Sequence, residues 1–285
     1  MLHAFSVDVE DYYQVLNFAR KLPRSEWAAM PSRVENNTRR ILDLLDSHGV
    51  KGTFFVLGCV AQKHPELVRE IATRGHELAS HGMSHTAITQ LSPEEFFEEA
   101  QHSRLLLENI SGTAVRGFRA PSFSITRKTW WALETLLRAG YSWDSSIFPV
   151  RHPDYGVVDA PRDIHVACRL DGQELMEFPL ASARVLGCNL PVSGGGYFRL
   201  LPYAVTRFGL NRVARERPFV FYLHPWEVDP EQPDLRRYAS RTGALRHYTG
   251  LRHTLSRLDR LLREFQFTTV SAILATRVVP GLSRT

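Results

Sequence analysis

Glu77-Leu78-Ala79-Ser80-His81-Gly82-Met83-Ser84-His85-Thr86 sets a short apolar run directly ahead of two histidines four residues apart. The run reads as a buried strand that delivers His81 at its C-terminal end, and such a histidine pair can close on one cation. Two imidazoles and one carboxylate, with a position left open for water, are a common donor set for catalytic zinc and its neighbours. The carboxylate is expected from another strand end. Ala4 to Val9 is an apolar run that finishes in Asp8-Val9-Glu10-Asp11, three acids where a buried strand should stay apolar. In an extended strand, residues two apart share a face, so Asp8 and Glu10 point to one side while Val9 packs away on the other. This register favours Glu10 as the metal ligand, with Asp11 the runner-up if the strand breaks at Val9.

On either side of these stretches, strand and helix alternate. Arg33 to His48 carries Val34, Ile41, Leu42, Leu44 and Leu45 at helical spacing and stops at Gly49; Lys51 to Gly58 reads as a buried strand, and Pro65 to Arg74 as a helix closed by Gly75. Ser92-Pro93-Glu94-Glu95 opens a capped helix to about Ile110, Gly117 to Ala120 is a short strand, Thr126 caps a helix to Gly140, and Tyr141 to Asp144 starts another strand. From about 145 to 200 the pattern lapses into proline and glycine, with one strand at Glu174 to Pro179 and either functional loops or short strands around it. Order returns with a helix over Pro202 to Glu216, a strand from Pro218 to His224, a basic amphipathic helix from Gly250 to Glu264, and a last strand from Phe267 to Val270. Such alternation predicts an α/β fold on a parallel sheet, open or closed into a barrel. Asp8, Glu10, His81, His85, Arg119, Asp144 and His224 all fall at C-terminal strand ends, where ligands bind in both architectures.

Composition narrows the rest. A chain of 285 residues with 44% hydrophobic content can bury one barrel-sized core, and the expected organisation is a single domain over 1–285 with an irregular insertion at about 145–200 and a distinct C-terminal part at about 200–275. The net charge of +5 is spread without a long basic run or a nucleic-acid-binding motif, which excludes nucleic acid as the expected partner. Cys59, Cys168 and Cys188 form an odd set without metal-like spacing, so no disulfide framework is expected. No apolar run reaches membrane-spanning length and Met1 leads straight into a strand, so the expected compartment is the cytoplasm, with peripheral association to the inner membrane left open.

Five motifs in order carry a resemblance to the polysaccharide deacetylase family, also called carbohydrate esterase family 4 or the NodB-homology domain. They are Ser6-Val7-Asp8-Val9-Glu10-Asp11, His81-Gly82-Met83-Ser84-His85, Arg119-Ala120-Pro121, Trp143-Asp144-Ser145 and Tyr222-Leu223-His224-Pro225-Trp226. Longer strings, Asp8 to Tyr13, Gly194 to Arg199 and His224 to Glu227, resemble the branch associated with exopolysaccharide clusters of the PEP-CTERM/exosortase type. The first motif departs from the adjacent aspartates common in the family.

The resemblance implies a distorted, seven-stranded (β/α) barrel and hydrolysis of N-acetyl groups from an amino-sugar polysaccharide or its lipid-linked precursor, in exopolysaccharide biosynthesis. It implies one divalent ion, zinc foremost with cobalt or nickel as alternatives, on Glu10, His81 and His85. Asp8 resembles the general base and His224 the general acid, with Asp144 holding the His224 ring and Arg119 pairing with Asp8. The backbone N–H of Ser122 would meet the oxyanion, and Tyr12, Tyr197 and Trp226 would offer stacking faces to sugar rings. Two other functions are weighed: an allantoinase-like hydrolase of a small amide, and a carbohydrate-binding protein without turnover.

Overall fold

A computed structural model describes residues 1–19, 21–152 and 155–276. Its first strand, β1 (Leu2–Val9), alternates strictly: Phe5, Val7 and Val9 join the core beneath the helices, while Ala4 belongs to a separate cluster with Phe55, Ala79, Trp143, Val220 and Tyr222. The second cluster is the inside of a ring. Strands β2 (Thr53–Val56), β3 (Glu77–Ser80), β4 (Gly117–Phe118) and β5 (Trp143–Asp144) follow β1 side by side, all parallel. The chain then makes an antiparallel hairpin, β6 (His165–Leu170) and β7 (Gln173–Glu177), and β7 joins β5 in parallel. A second hairpin, β8 (Ser182–Val185) and β9 (Cys188–Pro191), stands apart as its own two-stranded sheet.

Strand β10 (Val220–Leu223) pairs in parallel with the other side of β1, and β11 (Gln266–Thr268) adds to the first residues of β1. Just past β7, Leu180 makes a parallel bridge to Val220 of β10. The order β10-β1-β2-β3-β4-β5-β7 therefore closes on itself as a seven-stranded barrel, with β6 and β11 as additions outside the ring. Helices Val34–Ser47, Pro65–Thr73, Pro93–Ser111, Ala132–Arg138, Tyr203–Ala214 and Thr254–Glu264 follow the alternation expected from the sequence, and Ser92 with Glu95 forms the anticipated capping box. Fully buried outer-layer residues such as Phe54, Val56, Leu42 and Leu258 each contribute roughly 1.5–3 kcal/mol of burial free energy.

The stretch at 145–200 is more regular than an insertion of loops. Asp171-Gly172 and Leu186-Gly187 are two-residue hairpin connections with positive φ throughout (48° and 78°, 49° and 82°), so four strands and a short helix at Gly195–Leu200 occupy it. The expected last strand at Phe267 to Val270 shifts to β11, because Val270 already begins the helix Val270–Thr276. Ring strands β7 and β10 lie after residue 145, so the barrel is built from both halves of the chain. Cys59, Cys168 and Cys188 are free.

Candidate active site

Asp8 leaves β1 on the inward face beside Ser6, and the chain turns at once, with the Glu10 N–H donating to the Asp8 carbonyl at 3.0 Å. This turn lets Asp8 and Glu10 line one cavity while Val9 stays in the outer core. β3 delivers His81 into the same cavity, and Gly82 at φ 80° followed by His85 at φ 58° folds the second histidine back toward the first. One donor atom from each of Glu10, His81 and His85 lies within 4.8 Å of the others, and His85 Nε2 approaches Glu10 Oε2 to 2.8 Å. Asp11 is not part of this group. It accepts from Ser32 Oγ at 2.6 Å and from the Arg33 N–H at 3.0 Å, tying the entrance of the helix that starts at Val34, which corrects its place as runner-up ligand.

The three residues suit a divalent cation. His81 Nδ1 lies 2.8 Å from the Arg119 carbonyl, which can only accept, so Nδ1 carries the proton and the Nε2 lone pair faces the cavity. Burial, then His85, pushes the His81 imidazole down to about 3, so it is neutral and ready to ligate. Burial works against charge on Glu10, yet His85 and His224 outweigh it and hold its carboxyl below the usual range. Two imidazole-nitrogen donors and one carboxylate fit zinc, cobalt or nickel better than calcium or magnesium.

Arg119 is fully buried and bound on every side. Its Nη1 donates to Asp8 Oδ1 at 2.6 Å and Ser6 Oγ at 2.9 Å, Nε to the Ser145 carbonyl and Nη2 to Ser145 Oγ at 3.0 Å each, and its plane lies over the Phe55 ring at 3.9 Å. Asp8 is thereby fixed as an oriented carboxylate at the cavity floor. Across from it stands His224, whose Nε2 is 3.8 Å from Asp8 Oδ2 and 3.5 Å from Glu10 Oε1. Ser122 lines the cavity with its backbone in the left-handed region (φ 56°), a strained setting that turns the peptide after Pro121.

The partner of His224 is not Asp144. Glu227 Oε1 sits 2.7 Å from His224 Nδ1 and accepts its backbone N–H at 3.1 Å, while Glu227 Oε2 receives Arg199 Nε at 2.5 Å. Burial disfavours charge on Glu227, but Arg199 and then His224 bring it down to about 2. Burial likewise opposes charge on His224, and Glu10 followed by Glu227 raises it to about 9. Asp144 instead accepts from Ser146 Oγ at 2.6 Å, and Ser146 Oγ accepts the Ala120 N–H at 2.7 Å. Its cross-strand neighbour is Glu177, and burial pushes Asp144 up to about 6 and Glu177 well above the usual range. Asp144 Oδ2 and Glu177 Oε2 are both buried without another partner, so one proton shared between them accounts for the pair. The carboxyl group at the end of β5 braces the loop that carries Arg119 and Ser122; it does not orient His224.

The proposed sugar platforms also change. Tyr12 is fully buried in a third apolar cluster with Tyr13, Phe18 and Trp226, because the turn after Glu10 sends it inward, and Tyr197 is absent from the cavity lining. Trp226 does line the cavity, but it is sandwiched between His224 (ring centroids 5.4 Å) and His247 (4.2 Å) and donates its indole N–H to Glu10 Oε1 at 3.3 Å. It braces His224 and Glu10. Phe123, Tyr155, His152 and Tyr238, which the sequence reading passed over, supply the rings that face this cavity of about 510 Å³.

Residues 27–140 match the family model for polysaccharide deacetylase, and residues 145–275 match a domain of unknown function, DUF3473. A peptidoglycan-N-acetylglucosamine deacetylase of Bacillus cereus is 36% identical over 84 residues, covering 30% of this chain and 30% of the relative. A chitooligosaccharide deacetylase of Sinorhizobium fredii is 30% identical over 114 residues, covering 37% of this chain and 53% of the relative. The chain thus spans about a third to a half of the length of these curated relatives. A structure from Mycobacterium smegmatis, described as a candidate polysaccharide deacetylase, superposes with a TM-score of 0.62 at 21% identity over 100% of this chain and 94% of that one. A protein of Bacillus anthracis described as a CE4 family pseudoenzyme superposes at a TM-score of 0.50 and 14% identity over 96% of this chain and 65% of that one, so the fold by itself does not carry activity.

Proposed function

We propose, for a chain whose residues 27–140 match the polysaccharide deacetylase family model and whose residues 145–275 match DUF3473, metal-dependent hydrolysis of N-acetyl groups on an amino-sugar oligomer or polymer. The observation that carries this reading is the placement of Asp8 and His224 about the Glu10, His81 and His85 group, with His224 Nε2 within 3.8 Å of Asp8 and 3.5 Å of Glu10. A divalent ion on those three residues, zinc foremost, supplies a bound water of lowered pKa and a Lewis acid for the acetamide carbonyl. Asp8, held by Arg119, takes the proton of the attacking water. The Ser122 N–H offers a hydrogen bond to the developing oxyanion. His224, its Nδ1 occupied by Glu227, presents Nε2 to the leaving nitrogen and gives up the proton that lets the amine depart.

The named activities of the relatives support an N-acetylated glycan such as a chitooligosaccharide or a peptidoglycan strand as the substrate class. An exopolysaccharide role of the PEP-CTERM type draws its support from the longer strings. Two of them work as one unit here, since Arg199 of the Gly194–Arg199 string pairs with Glu227 of the His224–Glu227 string. Acetate release from N-acetylglucosamine oligomers, set against ammonia or urea release from ureides, tests the reading. Acetate is expected; ureide hydrolysis alone would replace it with the small-amide activity, and neither product from metal-loaded protein would leave a carbohydrate-binding protein.

A further inference from the structure

We infer that the β8–β9 hairpin and the helix Tyr203–Ala214 beside it form a docking surface for an anionic lipid bilayer. The chain contains its own control for this reading. Both of its two-residue hairpin loops need positive φ at each position, a geometry that favours Asn, Asp or Gly. The β6–β7 loop obliges with Asp171-Gly172, whereas the β8–β9 loop places a leucine, Leu186, at φ 49° with its side chain 100% exposed. Neither the turn nor the core has a use for that leucine.

Other exposed apolar side chains sit on the same elements: Leu190 on β9, Val158, whose carbonyl accepts from Asn189 Nδ2 of the hairpin, and Phe208, 68% exposed, with Val205 on the helix. The helix lies against the hairpin, for Arg212 Nε donates to the Arg184 carbonyl at 3.1 Å and Gly209 backs onto Val192. Arginines surround the apolar tip. Arg151, Arg162 and Arg184 line the depression at its base together with Gly187, and Arg212 stands on the helix side. Among the described residues, the one carboxylate lining that depression, Asp159, is bridged to Arg127 at 2.5 Å, and neighbouring Asp163 accepts the Ile164 N–H at 2.8 Å.

A projecting leucine with guanidinium groups at the base of its hairpin matches the layering of a membrane surface, with acyl chains below the tip and phosphates around it. A soluble acidic glycan would engage the arginines but would gain nothing from Leu186 or Phe208. Attachment would be peripheral, since no described helix is long and apolar enough to cross a membrane. Arg151 lines this depression while His152 and Tyr155 line the active-site cavity, so docking here would hold the cavity mouth beside the bilayer.

The test is flotation of the whole chain with vesicles of phosphatidylcholine alone or with phosphatidylglycerol added, at low and high salt. Wild type is expected to bind the anionic vesicles in a salt-sensitive way. Arg184→Gln and Arg212→Gln should each weaken that binding about fivefold. Leu186→Asn suits the loop better than leucine, so its melting temperature should not fall while its vesicle binding drops at least fivefold. Binding of Leu186→Asn equal to wild type, equal binding to neutral and anionic vesicles, or capture by soluble polyuronate in preference to vesicles would each overturn the inference. The readout does not depend on catalysis: His81→Ala should bind vesicles as wild type does, and absence of deacetylation would leave this result standing.

Discussion

Glu227→Gln keeps the shape of a buried side chain and removes its charge. The wild-type carboxylate receives three donors: Arg199 Nε at 2.5 Å, His224 Nδ1 at 2.7 Å and the His224 N–H at 3.1 Å. An amide has only one oxygen, so its NH2 must turn toward either Arg199 or His224, and one donor is left facing another. A hydrogen bond to a charged group is worth about 1.5–3 kcal/mol, and where the loss falls on His224 it lowers that imidazole by roughly one to two pKa units. In metal-free protein His224 titrates near 9, raised by Glu10 and then Glu227 against the effect of burial. Its folded pKa lies above the unfolded value, so its contribution to stability is complete below about 6.5 and disappears as pH rises through about 9. In the variant that decline should begin roughly one to two units lower, readable by denaturant melts of metal-free protein alongside an NMR titration of the ring. Turnover of N-acetyl substrates should fall about 10- to 100-fold, less than the roughly 10²–10⁴-fold that losing a general acid outright would cost, while an activated aryl acetate, whose leaving group needs little protonation, should lose far less. Equal losses on both substrates with an unmoved His224 titration would refute the assignment of Glu227 as the group that orients the acid.

Three further outcomes can be checked alongside it. His81→Ala should purify with far less bound metal than wild type; equal metal content in the two would dissolve the proposed centre. Asp8→Asn should keep its metal and lose roughly two to four orders of magnitude in turnover, whereas Glu10→Gln should lose metal first, and exchanged phenotypes would make Glu10 the base. Glu177→Gln addresses the shared proton: burial raises both carboxyls, Asp144 to about 6 and Glu177 well above the usual range, so wild-type stability should fall as pH rises from the ordinary carboxyl range through about 6 and beyond. The variant should flatten that dependence by roughly 1–3 kcal/mol between acid and mildly alkaline melts, and an unchanged slope would mean the two carboxyls do not share a proton.

The helices and ring strands were legible because a long period of apolar spacing bounded by glycines leaves few alternatives, and the two-residue spacing of Asp8 and Glu10 foretold their shared face. Glu227 was not read as a partner of His224, although a signal was present. Pro225 at the first position and Glu227 at the third are the marks of a capping box, and here the capping residue is a histidine, so the box that closes a short helix also grips the ring. Asp144 was misjudged because motif order says nothing about which strand pairs beside it; its neighbour is Glu177 on β7, reached through a hairpin whose Asp171-Gly172 turn is predictable from sequence. Tyr12 looked like a sugar platform from its place beside the acids, yet the chain turns after Glu10 and the ring is swallowed by packing that no local pattern encodes.

The closure of the barrel has a consequence in time. β1 pairs on one side with β10, and the Ser6 hydroxyl bonds the Phe221 carbonyl across a sequence separation of 215 residues. Emerging from a ribosome at about 5–20 residues per second, β1 waits on the order of 10–40 s for that neighbour. Until then its unpaired edge lies open to other chains. Such long-range pairing makes for slow acquisition of the native state, and since His224 directly follows the strand that completes the ring, the proposed acid cannot reach its place before more than three quarters of the chain has been made.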